Sequence, residues 1–311
     1  MPAGRYAPSP SGPLHVGNLR TALLAWLFAR SEGARFLLRI EDLDPQRSRP
    51  EHEAGQLADL RAIGLDWDGE PVRQSERTPL YREALARLSD QGRVYPCWCT
   101  RAEIRAATRA PHGPHAELPY PGICRGLGTA ERAERQRIAG RAPSLRLDAH
   151  AESVRFEDRL HGTIERVVDD LILRRWDGAF AYNLAVVVDD AEQEIGEVVR
   201  GDDLLEWTPR QVLLARLLGH SPPRYAHVPL VLGADGKRLA KRHGAVTLLD
   251  RRALGERPED VLSWMAASVG LAQPSEALSA AQLVERFDPP ALPREPTAID
   301  APPARRSAGT G

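Results

Sequence analysis

The opening residues alternate in a way that few folds accept. Residues 5–7 form a short extended run, and Pro8, Ser9, Pro10, Ser11, Gly12 and Pro13 make a turn-rich loop. A helix is expected over residues 16–31, stopping near Gly33, and residues 35–40 are a β-type run closing on Glu41 and Asp42. A second helix is expected over residues 50–63, ended by Gly64. Strand, helix and strand in this order predict a parallel α/β sheet, whose ligands sit at the carboxyl ends of the strands. The apolar run from Thr21 to Ala29 imitates a signal sequence. It is short, lies behind a Pro/Gly-rich stretch and has no small-x-small site after it, so it reads as a buried helix of a cytoplasmic enzyme. No apolar run reaches the roughly 18–20 residues that span a bilayer.

At 311 residues, two domains or one with a large insertion are expected. Residues 1–80 and 176–250 are expected to form the halves of a catalytic domain and 81–175 an insertion. Residues 251–288 form a short helical remnant, and the Pro- and Ala-rich 289–311 a disordered tail. Strands are expected over residues 179–188, 197–200 and 228–232, and a helix over 209–218. The net charge of -1 announces no basic field, yet a local basic face suffices for phosphate contacts. Only three cysteines argue against a disulfide framework and for a reducing compartment.

Two constellations carry chemistry. In residues 5–18 a loop delivers His15 and Gly17 to a helix start, where free N–H groups, the positive dipole end and an imidazole suit a phosphate. Gly17 would let an adenine ring approach the backbone. Alone, these residues also describe an ordinary loop with a stray histidine. The second constellation is the loop of residues 233–244. The chain has only two lysines, Lys237 and Lys241, and both lie here, while all other basic side chains except histidine are arginine. A compact ammonium group in a glycine-flanked loop suits a departing pyrophosphate.

Together these segments resemble the two signatures of class I aminoacyl-tRNA synthetases. Residues 15–18 stand in the HIGH position and 238–242 in the KMSKS position. Asn18 replaces the last histidine of the first and Ala240 the serine of the second. Residues 5–20, 36–44, 182–190, 199–203 and 235–244 resemble the glutamyl branch in particular, over roughly residues 4–250. The resemblance implies a Rossmann-like α/β catalytic domain with an inserted acceptor-type, zinc-binding subdomain. It implies His15, Gly17, Asn18 and Lys241 as catalytic, with His15, Gly17 and Lys241 on ATP. Arg5, Tyr6, Ala7, Pro8, Ser9, Glu41, Tyr182 and Arg200 would line the L-glutamate pocket. There Arg5 would face the side-chain carboxylate and Glu41 the α-amino group. Mg²⁺ is expected with ATP.

All three cysteines, Cys97, Cys99 and Cys124, fall in the expected insertion, as in a structural zinc site. Three thiolates leave one tetrahedral position, for which His112, His115 and Tyr120 compete, and imidazole is the commoner ligand. The stretch also resembles the zinc insertion of short glutamyl-synthetase paralogues, which implies Tyr120 as the fourth ligand. The 67 residues that follow the lysine loop are too few for the long helical anticodon reader of full-length relatives. The chain thus resembles the paralogues that attach glutamate to the queuosine base in the anticodon of tRNA(Asp). A minimal glutamyl-tRNA synthetase charging the 3′ end of tRNA(Glu), a nucleotidylyltransferase and an idle tRNA-binding module are the alternatives. A monomer is expected.

Overall fold

The computed structural model describes residues 2–108, 119–239, 243–244, 246–274 and 276–299. In chain order the first elements are β1 (Ala3–Tyr6), α1 (Val16–Ser31), β2 (Phe36–Ile40), α2 (Pro50–Ala62), β3 (Val72–Arg73) and α3 (Thr78–Asp90). Then come β4 (Val94–Cys97), α4 (Arg101–Thr108), α5 (Thr129–Ala139), β5 (Ser144–Leu147), β6 (Ser153–Asp158), β7 (Gly162–Val167) and β8 (Ile172–Arg174). The last are α6 (Tyr182–Glu192), β9 (Ile195–Gly201), α7 (Thr208–Leu217), β10 (Arg224–Val228), β11 (Val231–Gly233), α8 (Leu248–Ala253), α9 (Pro258–Ala267), α10 (Ala280–Val284) and β12 (Thr297–Ile299). Proline starts α2, α3, α7 and α9 at the first or second helical position, where its missing N–H costs nothing.

Seven strands form one sheet in the order β3-β2-β1-β9-β10-β6-β7. All its pairings are parallel except that of β6 with β7, which close the edge as a hairpin. Strand order reverses between β1 and β9, and the carboxyl ends at such a switch point are where parallel α/β sheets bind their ligands. Alternation along the strands feeds two cores. Leu38, Val199 and Ala226 face α1, α9 and α10, and Val198 and Tyr225 face α3, α6 and α7. α1 packs on β1 and β9 on one side and on α9 and α10 on the other, which is why its buried residues, Arg20 among them, run round the helix.

Cys97 ends β4 in a separate three-stranded antiparallel sheet, β4-β5-β8. It belongs to a small cluster with Tyr95, Trp98, Tyr120 and Cys124. Within the span 81–175, α3 and the β6–β7 hairpin belong to the large sheet and its core.

Three expectations about elements change. Most of residues 179–188 is helical rather than extended, because Leu184, Ala185, Val186, Val187 and Val188 are buried on every side. Full burial lets tertiary packing override the strand preference of the valines. The expected strand over 228–232 splits into β10 and β11 at Pro229, whose carbonyl instead accepts from Arg20. The expected disordered tail is structured as far as Ile299: β12 pairs in parallel with β11, and Leu292 and Ile299 are buried. Among the described residues, no helix is long and apolar enough to cross a membrane.

Candidate active site

His15 caps α1. Its Nδ1 accepts from the Asn18 N–H (3.1 Å), and the Asn18 side-chain oxygen accepts from the His15 N–H (3.3 Å). The residue in the last HIGH position thus closes a capping box that fixes the imidazole. With Nδ1 accepting, the ring proton sits on Nε2. Burial and then the Arg238 charge push the imidazole down to about 4, so it stays a neutral donor. A Cβ on Gly17 would lie 3.0 Å from His15 Nδ1 and 3.2 Å from the Val231 Cβ, so glycine lets the ring and β11 close on the helix start. The Val16 N–H donates to Val246 O (2.7 Å), tying this turn to the far side of the lysine loop.

Arg5 is buried in β1. Its Nε donates to Asp190 (3.3 Å) and Nη1 to the carbonyl of Val199 in β9 (3.5 Å). Asp190 also accepts from Arg39 (2.7 Å). Burial opposes its ionisation, but Arg39 and Arg5 hold the carboxyl below the usual range. Arg39 also meets Glu41 (3.4 Å), whose carboxyl burial pushes up. The Glu41 N–H donates to Pro8 O (2.9 Å), which locks the loop after β1 to the end of β2. Asp189 accepts from Gln74 (2.8 Å), Arg77 (2.6 Å) and the Tyr81 hydroxyl (2.9 Å). Sequence reasoning passed over Asp189, Asp190 and Arg39. Two carboxylates directly after an apolar run were the available signal.

Arg200, near the end of β9, is buried and ringed by acceptors: His227 Nε2 (3.1 Å), Gln211 (2.8 Å), Thr208 (2.7 Å) and the Tyr182 hydroxyl (3.3 Å). Arg5 and Arg200 lie on the neighbouring parallel strands β1 and β9, and the Arg200 guanidinium lies over the Tyr225 ring (5.7 Å). Lys241 lies outside the described residues. Before it, the Gly233 N–H donates to Lys237 O (2.8 Å), Leu239 is buried and Arg238 pairs with Asp203 (2.9 Å).

The sulfurs of Cys97, Cys99 and Cys124 lie within 4.8 Å of one another and could hold a metal ion. Cys99 and Cys124 are 3.5 Å apart, against about 3.8 Å between two sulfurs tetrahedral on zinc at about 2.3 Å. The Tyr120 oxygen is 3.3 Å from the Cys97 sulfur and 3.5 Å from that of Cys99. It also accepts from the Cys124 N–H (2.8 Å). Hydrogen bonds from Cys124 and Cys99, with Arg146 beside it, drive the Cys97 thiol toward thiolate. His112 and His115 lie outside the described residues.

The family described as tRNA synthetases class I (E and Q), catalytic domain, matches residues 3–300. The chain belongs to this family. It is 59% identical to a glutamyl-Q tRNA(Asp) synthetase of Nocardia farcinica, over 94% of this chain and 92% of that one. It is 50% identical to a protein of the same name from Symbiobacterium thermophilum, over 97% of each. A crystal structure of a glutamate tRNA ligase from Elizabethkingia meningosepticum with its amino acid superposes with a TM-score of 0.81 at 27% identity. The match covers 96% of this chain and 67% of that one. In this class I chain the two arginines lie on adjacent strands, the Tyr6 hydroxyl donates to Asn18 O at the start of α1 (3.4 Å), and the cysteine cluster belongs to the small sheet.

Proposed function

We propose that the protein activates L-glutamate with ATP and transfers the glutamyl group to the queuosine base in the anticodon of tRNA(Asp). The observation that carries this reading is the pair of buried guanidiniums, Arg5 and Arg200, on adjacent parallel strands. Two fixed cations beside a phosphate-type helix start suit an amino acid with a second carboxylate. Relatives that bear this activity in their name match over nearly their whole length.

Arg5 and Arg200, with the Tyr182 hydroxyl, hold the side-chain carboxylate, and Glu41 takes the α-amino group. Tyr6, Ala7, Pro8 and Ser9 form the pocket wall after β1. The α-carboxylate is already a nucleophile, so no general base is needed. It attacks the α-phosphorus in line, an O–P bond forms and pyrophosphate leaves. The His15 Nε2–H and the Gly17 N–H, since those of Val16 and Asn18 are already donated to Val246 and His15, bind the phosphates, and Lys241 balances the charge of the departing pyrophosphate. Mg²⁺ accompanies ATP and need not have its own protein cage. In the second step a hydroxyl of the queuosine cyclopentenediol attacks the acyl carbon and AMP leaves, which makes an ester. Zinc is the metal that three thiolates and the Tyr120 oxygen suit, in a structural role.

The test is the position of the label. The enzyme, ATP and labelled glutamate are incubated with tRNA from cells able or unable to make queuosine, and the product is cleaved. Label on the modified anticodon base, alkali-labile and restricted to the queuosine pool, is expected. Label on the 3′-terminal adenosine would establish the minimal glutamyl-tRNA synthetase instead.

A further inference from the structure

Behind the proposed glutamate pocket lies a buried polar chain whose members the reaction does not consume. Asp158, the last residue of β6, accepts from the backbone N–H groups of Leu160 and His161 (3.0 Å each) through one oxygen. Its other oxygen meets the His227 N–H (3.1 Å) and the His227 Nδ1 (2.6 Å). Both side chains are fully buried. On the far side of the ring, Nε2 faces the Nε–H of Arg200 (3.1 Å) and the Thr208 hydroxyl (2.9 Å). Tyr225 stacks on the ring at 6.0 Å, and His161 meets the His227 carbonyl (3.0 Å).

The proton placement follows from the partners. Asp158 is held below the usual carboxylate range by His227 and two backbone N–H groups, against the effect of burial, so it is an anion that can only accept. Nδ1 must therefore carry the proton, which leaves Nε2 with its lone pair toward an arginine that can only donate. Arg200 has five N–H donors. Nε serves His227, Nη1 serves Gln211 and Tyr182, and one N–H of Nη2 serves Thr208, which leaves the second N–H of Nη2 for a ligand. Since Tyr182 accepts from Arg200, its own O–H is also free to donate to a carboxylate.

We propose that Asp158 and His227 form a positioning pair for glutamate recognition: Asp158 sets the tautomer of His227, and His227 Nε2 fixes the guanidinium plane of Arg200. The proposal rests on the reading that Arg200 faces the substrate carboxylate. The pair touches no substrate. It removes the rotational freedom of the arginine before glutamate arrives, so its loss weakens glutamate binding and leaves ATP binding alone.

Two substitutions separate this role from simple core packing. His227→Asn places an amide at the level of Nδ1, so it still donates to Asp158 but has nothing to offer Arg200. His227→Gln reaches the level of Nε2 and restores an acceptor. Glutamate-dependent pyrophosphate exchange is measured with both, varying each substrate. The Asn variant should raise KM for glutamate about 10- to 100-fold, the scale for losing an outer-sphere orienting partner, with KM for ATP unchanged. The Gln variant should stay near the unmodified enzyme even where the two melt at similar temperatures. Parallel rises in both KM values, or identical behaviour of the two variants, would overturn the proposal. Nitrogen-15 spectra of the unmodified enzyme give a second readout that does not depend on how the variants fold. A proton on Nδ1 of His227 is expected, and one on Nε2 would overturn the proposal. No exchange with glutamate in the unmodified enzyme would overturn the functional reading itself, and this proposal with it.

Discussion

Asp190 lies between two guanidiniums, and its position decides what Arg5 can do. A guanidinium anchored through Nε to a buried carboxylate cannot swing away. Among the described residues Nη2 of Arg5 takes no hydrogen bond, and it is the atom left for a substrate oxygen. Arg5→Ala should lower kcat/KM for glutamate by roughly 10²- to 10³-fold, the scale of a buried charge losing its partner. Asp190 keeps Arg39, so the fold should survive. Isothermal titration with ATP should be unaffected, and glutamine should be a poor substrate of the unmodified enzyme. Equal turnover of glutamine and glutamate would remove Arg5 from the pocket. Two histidines also make stability depend on pH. Burial, followed for His15 by Arg238, lowers both His15 and His227 to about 4, against about 6.5 when unfolded. Between these values the unfolded chain binds protons that the folded chain refuses. Their contribution is therefore full above pH 6.5 and is lost as pH falls through the window. The urea midpoint should drop between pH 7 and pH 5, and His227→Gln should flatten that slope. An unchanged slope would show that His227 does not titrate on unfolding.

Elements were legible where local chemistry and packing agreed. α1 and α2 match their expected starts because Pro and Gly punctuation coincides with the ends of the apolar pattern. α6 was illegible because valine runs signal half-buried surfaces, whereas this helix is enclosed by β9, α3 and α7. The same enclosure hid Asp189 and Asp190: a sequence shows two carboxylates, but not the three arginines brought to them from β1, β2 and the turn before α3. Arg5, Glu41, Tyr182 and Arg200 are assigned to the proposed pocket through resemblance, since each alone is an ordinary core or surface residue. The cysteines were readable from clustering alone, and Tyr120 lies against two of the three sulfurs. Metal analysis should give one zinc per chain. Cys124→Ser should lose it and loosen the small sheet. Hydrogen exchange should then rise over residues 94–99 and 119–147 while β1, β9 and β10 stay protected. A metal-free protein with full protection in the small sheet would refute the zinc reading.

At the scale of the molecule, α1 and β12 are joined through Arg20 and Thr297. Arg20, fully buried in α1, donates through Nη2 to Pro229 O (2.6 Å) and through Nη1 to Thr297 (2.8 Å) and Ser268 (3.2 Å). Its Nε has no partner among the described residues, and burial lowers the guanidinium to about 10. A cation already this poorly solvated depends on each remaining acceptor. Thr297→Val keeps the shape but strands one donor, at a cost of about 1–3 kcal/mol, read as a lower urea midpoint. Truncation after residue 293 removes β12 and with it the parallel partner of β11. Because Val231 of β11 packs where Gly17 begins α1, that loss reaches His15 before it reaches the arginines on β1 and β9. The truncated enzyme should therefore show a raised KM for ATP and an unchanged KM for glutamate, the reverse of the split expected from His227→Asn. If both constants rose together, β12 would act on the stability of the whole sheet, not on the helix start.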